Sequence, residues 1–308
     1  MFKSIKNLKC RICNNKKLYT YLDLGYQPPS NSFLKSKHLK EKKFPLRVKI
    51  CENCGLSQLD TVVSAENIFD EYLYLSSSSK ALVDHYKKMT KEILKITKPN
   101  INSLIIDIGS NDGITLENYS NKKYNLLGVE PSSAAFYSKK KGIKTEKNFF
   151  NFGFSKIIKK KYGLAKIITA TNVFAHNHKI QDFVKGIRYL LHDNGVFVIE
   201  FPYLDYMLKD KFYDIIYHEH YSYLSITPLN FLFSKYNLKI FRIKKVSIGA
   251  SGPALRVYIK KENCKKFKDD KNLKKFLNYE KNKKFKNKET YKKFKKDIVE
   301  HNYKLKKI

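Results

Sequence analysis

The sequence contains no tryptophan, only five arginines among its 62 basic residues, and no apolar run approaching the roughly 20 residues that a membrane-spanning helix requires. That last absence argues against a helical span. The opening MFKSIKNLKC carries basic residues but neither an apolar core nor a small-residue cleavage site, so no secretory signal is expected. Four of the five cysteines fall in two Cys-x-x-Cys pairs, which suits a reducing compartment and a metal better than a disulfide framework. A cytoplasmic protein without membrane association is expected. The scarcity of arginine also bears on the formal charge of +34. Proteins that read phosphates and bases exploit arginine's bidentate fork, whereas here 57 basic residues are lysine, accompanied by abundant Asn, Ile, Tyr and Phe. An AT-rich coding bias produces that composition without functional demand. A polyanion-binding surface remains the alternative, but nucleic acid is not the expected partner, and an anionic small substrate would need only a few of these lysines.

Four textures follow one another along the 308 residues, with no internal repeat. Residues 1–65 hold the paired cysteines, the turn-rich Gly25–Asn31 and short β-like runs such as Phe44–Ile50. Residues 66–100 are expected to be a helical connector contributing to a substrate site: Ser76–Ser79 offers N-caps, and Leu82, Val83, Tyr86, Met89, Ile93 and Leu94 follow at helical spacing. Residues 101–260 alternate short apolar strands (Leu104–Ile108, Asn125–Glu130, Ala165–Thr171, Gly195–Glu200) with helical patterns at Ser132–Lys141 and Gln181–Leu191. Such alternation predicts a parallel α/β sheet with helices on both faces. Residues 261–308 are lysine-rich and helix-prone, with a partial apolar stripe through Phe267, Leu273, Phe276, Leu277, Phe285, Tyr291, Phe294 and Ile298.

Cys10-Arg-Ile-Cys13 and Cys51-Glu-Asn-Cys54 supply four thiolates, enough for tetrahedral Zn²⁺, and Gly55 suits the tight turn after the second pair. All four positions are filled by cysteine, so the expected metal is structural rather than catalytic. Redox pairs or unliganded thiols are the other readings, and Cys264 stands apart.

Ile105-Ile-Asp-Ile-Gly-Ser-Asn-Asp-Gly113 is a strand entering a glycine-bearing turn and then a helix. Glycines let the backbone pass close to a ligand, and a helix N-terminus favours a negative group such as a carboxylate. A dinucleotide fingerprint would read G-x-G-x-x-G, but this loop reads D-x-G-x-N-x-G. Glu130, closing the second strand, is placed to accept hydrogen bonds from both ribose hydroxyls. Asp107 and Glu130 put carboxylates where a diphosphate would sit, which favours S-adenosylmethionine over NAD. Asp107, Gly109, Asn111, Gly113 and Glu130, with Asn172 after the third strand, form the expected cofactor set. An ordinary turn with a surface glutamate is the bland alternative.

On these residues the chain resembles the sugar C-methyltransferases, which methylate deoxysugar nucleotides. The resemblance runs from Cys10 to about Tyr258 through the four paired cysteines, Tyr72-Leu-Tyr74-Leu-Ser-Ser77, the Asp107–Gly113 loop and Glu130-Pro131. It continues through Thr171-Asn-Val-Phe-Ala-His176, Glu200-Phe-Pro-Tyr203, Tyr217-His-Glu-His-Tyr221 and Leu255-Arg-Val-Tyr258. It implies a class I, Rossmann-like α/β methyltransferase sheet with an N-terminal zinc-binding subdomain. Two departures stand out: Gly249-Ala-Ser-Gly252-Pro replaces a glycine pair, and the helical tail reads as a truncated start of the family's C-terminal domain.

The implied substrate is a nucleotide-linked keto-sugar, and the chemistry needs a base to form an enolate. His220 is the expected base, Glu219 its orienter or a sugar-hydroxyl acceptor, and Tyr217 with Tyr74 the enolate stabilisers. His176 is expected at the carboxyl edge of the sheet, where ligands collect. The bland alternatives are surface histidines at positions 218 and 220 with a solvated Glu219, a second metal there, and core packing for Tyr72 and Tyr74. His178 is expected to be exposed. The competing functions are an O- or N-methyltransferase on a sugar or small metabolite, a zinc-ribbon RNA-binding protein, and a catalytically dead paralogue that still binds cofactor.

Overall fold

The computed structural model describes residues 4–31, 36, 38, 40–64, 74–119, 123–249, 252–305 and 307. Tyr72 and the Ala250-Ser251 pair, invoked above, lie outside the described residues. In the N-terminal part run β1 (Ser4–Lys6), β2 (Leu18–Gln27), β3 (Phe44–Cys51), β4 (Ser57–Leu59) and β5 (Thr61–Val63). β6 (Leu104–Ile108), β7 (Asn125–Val129), β8 (Thr145–Glu146), β9 (Ala165–Thr171) and β10 (Leu191–Pro202) alternate with helices, and β11 (Ser222–Tyr223), β12 (Leu238–Gly249) and β13 (Gly252–Lys261) follow.

Seven strands form one sheet in the order β12-β13-β10-β9-β6-β7-β8. The five from β8 to β10 are parallel, whereas β13 runs antiparallel to both β10 and β12. The chain lays β6 centrally, steps to one side for β7 and β8, then returns to place β9 and β10 on the other. Between β6 and β9 the direction of strand succession reverses, which opens a crevice at the carboxyl ends.

A strand covered on both faces must be apolar almost throughout, and all five residues of β6 are buried. Its side chains alternate between two cores. Ile105 joins Ile167, Val196 and Val198 under helix Lys80–Thr97, while Ile106 and Ile108 face the cluster that holds helices Phe152–Tyr162 and Ile180–Leu190. The first of these helices is capped where the sequence suggests: the Ser79 side chain accepts from the Leu82 N–H, and Leu82, Tyr86, Met89 and Ile93 fall on one buried stripe. β10 begins four residues before the expected Gly195, because helix Ile180–Leu190 passes straight into it. A register shift between Leu191 and Val196 absorbs the extra residues.

The N-terminal part is not self-contained. Its four-stranded sheet has the order β11-β4-β3-β2, so its edge strand comes from residues 222–223, after β10 of the large sheet. The lysine-rich segment also folds back. Helices Asn272–Asn282 and Lys288–Leu305 dock so that Tyr291 lies against Tyr21 of β2, ring centroids 4.6 Å apart. Glu280 explains why the first of them is placed as it is. Helix Ile226–Lys235 has no side-chain cap of its own, and the buried Glu280 carboxylate accepts from the N–H groups of Ile226 and Thr227, each at 2.7 Å, and from the Tyr203 hydroxyl at 2.9 Å. This is an N-cap supplied from more than fifty residues away.

Charge-assisted bonds of this kind contribute about 1.5–3 kcal/mol each, and losing them leaves buried donors unpaired. Glu280→Ala is therefore expected to lower unfolding stability by about 2–4 kcal/mol in urea titrations, with an unchanged m-value. A loss below about 0.5 kcal/mol would contradict the capping role.

Candidate functional site

The two Cys-x-x-Cys turns fold as matched knuckles. In the first, Cys10 N–H donates to the Asn15 carbonyl and Asn14 N–H to the Cys10 carbonyl; in the second, Cys51 N–H donates to Leu56 and Gly55 N–H to Cys51. Asn14 and Gly55 take the left-handed conformation that each turn needs, with φ of 60° and 81°. All four sulfurs lie within 4.8 Å of one another, with Cys10–Cys54 at 3.4 Å and Cys13–Cys51 at 3.5 Å. A tetrahedral ion with Zn–S bonds of about 2.3 Å would separate its sulfurs by roughly 3.8 Å, so the thiols fit Zn²⁺ with little adjustment. Neighbouring sulfurs and burial raise the thiols of Cys10 and Cys54, so a cation is what lets all four ionise together.

The expected cofactor loop lies at the crevice between β6 and β9. Glu130 Oε2 accepts from the Asn111 N–H at 2.8 Å and Oε1 from the Ser132 N–H at 2.9 Å. Each oxygen keeps a free lone-pair direction, which suits a ribose diol. The Asn111 carboxamide bridges the segment before helix Lys80–Thr97, donating to the Tyr74 carbonyl at 2.9 Å and accepting from Ser76 N–H at 2.9 Å. Asp112 Oδ2 accepts from Ser77 N–H at 3.1 Å. A strap comprising residues 74–78 thus lies on the loop, a contact that spacing in the sequence does not reveal.

The glycines do more than admit a ligand. Gly109 has φ +65°, and a Cβ there would meet Val173 Cγ2 at 2.2 Å; at Gly113, φ +82°, it would meet Ser138 Oγ at 2.7 Å. Their missing side chains let the loop pack on the turn after β9 and on the helix after β7. Asp107 sits beneath the loop rather than on its surface. It is 1% exposed, accepts from Thr169 Oγ1 at 2.5 Å, and burial pushes its carboxyl up to about 7. Asn172 has φ 57° and its N–H donates to the Glu200 carbonyl at 2.8 Å, which fixes it beside the same crevice.

Tyr217–His220 is a turn closed by the His220 N–H to the Tyr217 carbonyl, and its two histidines and Glu219 do not lie at the surface as the bland alternative required. His218, Glu219 and His220 are 0%, 1% and 5% exposed. His220 Nδ1 meets the Ile215 carbonyl at 2.8 Å, so that nitrogen carries the proton, and Nε2 accepts from the Tyr217 hydroxyl at 2.9 Å. His176 stands edge-on to His220, ring centroids 4.7 Å apart. Burial lowers His220 to about 4 and holds His176 well below the usual histidine range, so both rings are neutral near pH 7.

Glu219 is not the orienter of His220. Its Oε1 accepts from Asn31 Nδ2 at 2.8 Å, and the Ile215 carbonyl orients the imidazole instead. Burial raises Glu219 to about 7, partly offset by the Asn31 donor. His218 belongs to the inter-sheet packing: its Nε2 lies 3.3 Å from the Pro45 carbonyl, and its ring meets Phe44 edge-on. Because the segment is a turn and not a strand, His218 and His220 do not share a face, and among the described residues the four cysteines are the only potential metal cluster. Tyr74 joins the Asn111 side of the site, its side chain 43% exposed rather than in the core. His178, expected to be exposed, is half-buried with its ring 5.6 Å from Tyr221.

A second buried cluster adjoins Asn172. Arg256 of β13 and Glu200 of β10 are cross-strand partners; Arg256 Nε donates to Glu200 Oε2 at 2.8 Å, and Glu200 Oε1 meets His85 Nε2 at 2.7 Å. Glu92 bonds Arg256 Nη1 at 3.3 Å and the Tyr258 hydroxyl at 2.9 Å. The network pins helix Lys80–Thr97, and the strap before it, to the sheet. The segments Glu200–Tyr203 and Leu255–Tyr258 contain three of its members, Glu200, Arg256 and Tyr258, whereas His85 and Glu92 carry no signal beyond their helix.

Two family models match the chain, one described as a zinc binding domain over residues 10–69 and one as a methyltransferase domain over residues 83–243. The C-methyltransferase NovU of Streptomyces niveus is 28% identical over 243 residues, covering 78% of this chain and 58% of that protein. The chain therefore spans less than two-thirds of the length of that relative. Among solved structures, an S-adenosylmethionine-dependent methyltransferase from Clostridium acetobutylicum matches with a TM-score of 0.45 at 11% identity, covering 58% of this chain and 91% of that one. One from Anabaena variabilis matches with 0.41 at 14%, covering 58% and 95%.

Metal analysis of the purified protein is expected to give about one zinc per chain, lost in Cys54→Ser. Gly109→Ala must displace Val173 and hold alanine at positive φ, so it should weaken S-adenosylmethionine binding about tenfold or more by calorimetry. Unchanged affinity in that variant would show that the loop does not contact the cofactor.

Proposed function

The chain belongs to the methyltransferase family, and we propose that it transfers a methyl group from S-adenosylmethionine to a carbon of a nucleotide-linked keto-deoxysugar. The observation that carries the proposal is the enclosed turn Tyr217–His220. Its imidazole, His220, receives the Tyr217 hydroxyl and stands edge-on to His176, just beyond the end of β9 and on the same carboxyl edge as the loop that Glu130 organises, while the adjacent Glu219 carboxyl is held by Asn31. The family match supports the methyl transfer. The ordered motifs from Cys10 to Tyr258, with the C-methyltransferase similarity, support carbon as the acceptor.

When bound, S-adenosylmethionine supplies an electrophilic methyl group, and the protein must supply a carbon nucleophile. A base removes the proton beside the ketone, the enolate carbon bonds to the methyl as the carbon–sulfur bond breaks, and the neutral thioether leaves. His220 suits direct proton removal less well than its residue type suggests: its basic Nε2 already receives the Tyr217 hydroxyl, and burial opposes its protonation. Glu219, a carboxyl titrating near 7, is the better matched proton acceptor. Tyr217 has one hydroxyl proton, which rests on His220 Nε2; turned from that nitrogen toward the substrate, it is the donor for the enolate oxygen, beside the buried His220.

The test is incubation with S-adenosylmethionine and a nucleotide-linked 4-keto-6-deoxysugar, with mass analysis for one added methyl resistant to mild hydrolysis. Methyl placed on oxygen or nitrogen, or no product despite cofactor binding, would refute carbon transfer. As a base, Glu219 must be ionised, so turnover should rise as pH increases through about 7. Glu219→Gln should abolish that limb and lower kcat by about 100-fold or more, while cofactor binding persists. A limb that survives in Glu219→Gln would assign the base elsewhere.

A further inference from the structure

Arg11 is the first non-ligand residue of the first knuckle, and it is not used by the chemistry above. Only 7% of it is exposed. Its backbone N–H donates to Gln58 Oε1 at 2.9 Å, and its carbonyl accepts from Gln181 Nε2, on helix Ile180–Leu190, at 2.9 Å. Its guanidinium Nη1 donates to the Leu59 carbonyl at 2.8 Å and to the Tyr221 carbonyl at 3.0 Å, while its centre lies 5.8 Å from the Tyr221 ring. Nε and Nη2 are buried and make no hydrogen bond among the described residues. The ion pairs of Asp60 are with Arg47 and Lys49.

A buried cation with two unpartnered N–H groups is costly unless a diffuse negative charge lies nearby. The four-cysteine site provides one: four thiolates around Zn²⁺ carry a net charge of −2, and Arg11 follows Cys10 directly. Its fork ends on the carbonyl of Tyr221, the residue after His220.

We propose that Arg11 is a positioning residue that couples the zinc site to the Tyr217–Tyr221 turn. The charge of the metal–thiolate centre stabilises the buried guanidinium, and the guanidinium fixes the carbonyl next to His220. Metal loading thereby sets the geometry of the turn, whichever chemistry the turn performs. Linkage makes the coupling reciprocal, so loosening the guanidinium must also weaken metal retention.

The test uses the full chain, zinc-loaded or stripped with a chelator, as wild type and as Arg11→Met. Hydrogen exchange is followed by mass spectrometry at residues 217–223 and, as a reference, at residues 18–27 of β2. In wild type, stripping should accelerate exchange at 217–223 by about tenfold or more, and zinc-loaded Arg11→Met should show the same local acceleration while residues 18–27 stay protected. Stripping the variant should then add little at 217–223, and its zinc should pass to a chromophoric chelator at least about tenfold faster than that of wild type. Protection at 217–223 that is unchanged in zinc-loaded Arg11→Met overturns the proposal, as does an equal further loss on stripping the variant. If stripping unmasks residues 18–27 as well, the zinc-loaded comparison alone decides. None of these readouts involves turnover, so they stand or fall separately from the proposed reaction.

Discussion

Everything at the candidate site depends on one short antiparallel pairing, Ser222–Tyr223 against Ser57–Gln58. After β10 the chain leaves the large sheet and donates two residues to the edge of the small one. The turn just before that pairing is therefore held from both sides. Tyr221 hydrogen-bonds Val63 through its hydroxyl and Leu59 through its carbonyl, His218 packs against Phe44 and Pro45, and His220 faces His176 of the large sheet. Two sheets whose packed faces belong to one hydrophobic cluster are also joined through the residues whose placement the proposed chemistry requires.

Burial is the second constraint, and it acts in opposite directions on adjacent side chains. Removing water disfavours the charged form of every group, so it lowers His176 and His220 and raises Glu219 and Asp107. The result is a site whose imidazoles are neutral hydrogen-bond partners and whose carboxyl is the group that changes charge near neutrality. No cation touches Glu219 among its described partners; Asn31, a neutral donor, holds it. A lysine in that position would keep the carboxylate ionised and weaken it as a base.

Much of this architecture is legible in the residues. Apolar runs locate β6, β7 and β9 to within a residue, because strands covered on both faces admit few other side chains. The cysteine spacing specifies the metal site because two knuckles and four sulfurs leave few alternatives. Contacts between distant segments are harder to read. No local pattern announces that Asn31 will hold Glu219, that residues 222–223 will finish the N-terminal sheet, or that Glu280 will cap a helix beginning at Ile226. The role first assigned to Glu219 followed from adjacency in sequence, but in a tight turn neighbouring side chains point apart, and a backbone carbonyl orients His220. The lysine-rich segment gives only a partial stripe, yet Phe285, Tyr291, Phe294 and Ile298 are all buried.

The late edge strand has a consequence for how the molecule is made. A ribosome delivers the four cysteines well before residues 222–223, so the small sheet stays open along β4 while the five parallel strands of the large sheet are being synthesised. Helix Lys288–Leu305, which covers Tyr21, arrives later still. The cysteine-bearing segment is thus fully enclosed only after much of the chain that follows it has been made. Zinc captured by the paired knuckles would join the local pairings of β1 with β5 and of β2, β3 and β4 in holding that nascent segment together in the interval, well before its long-range partners exist.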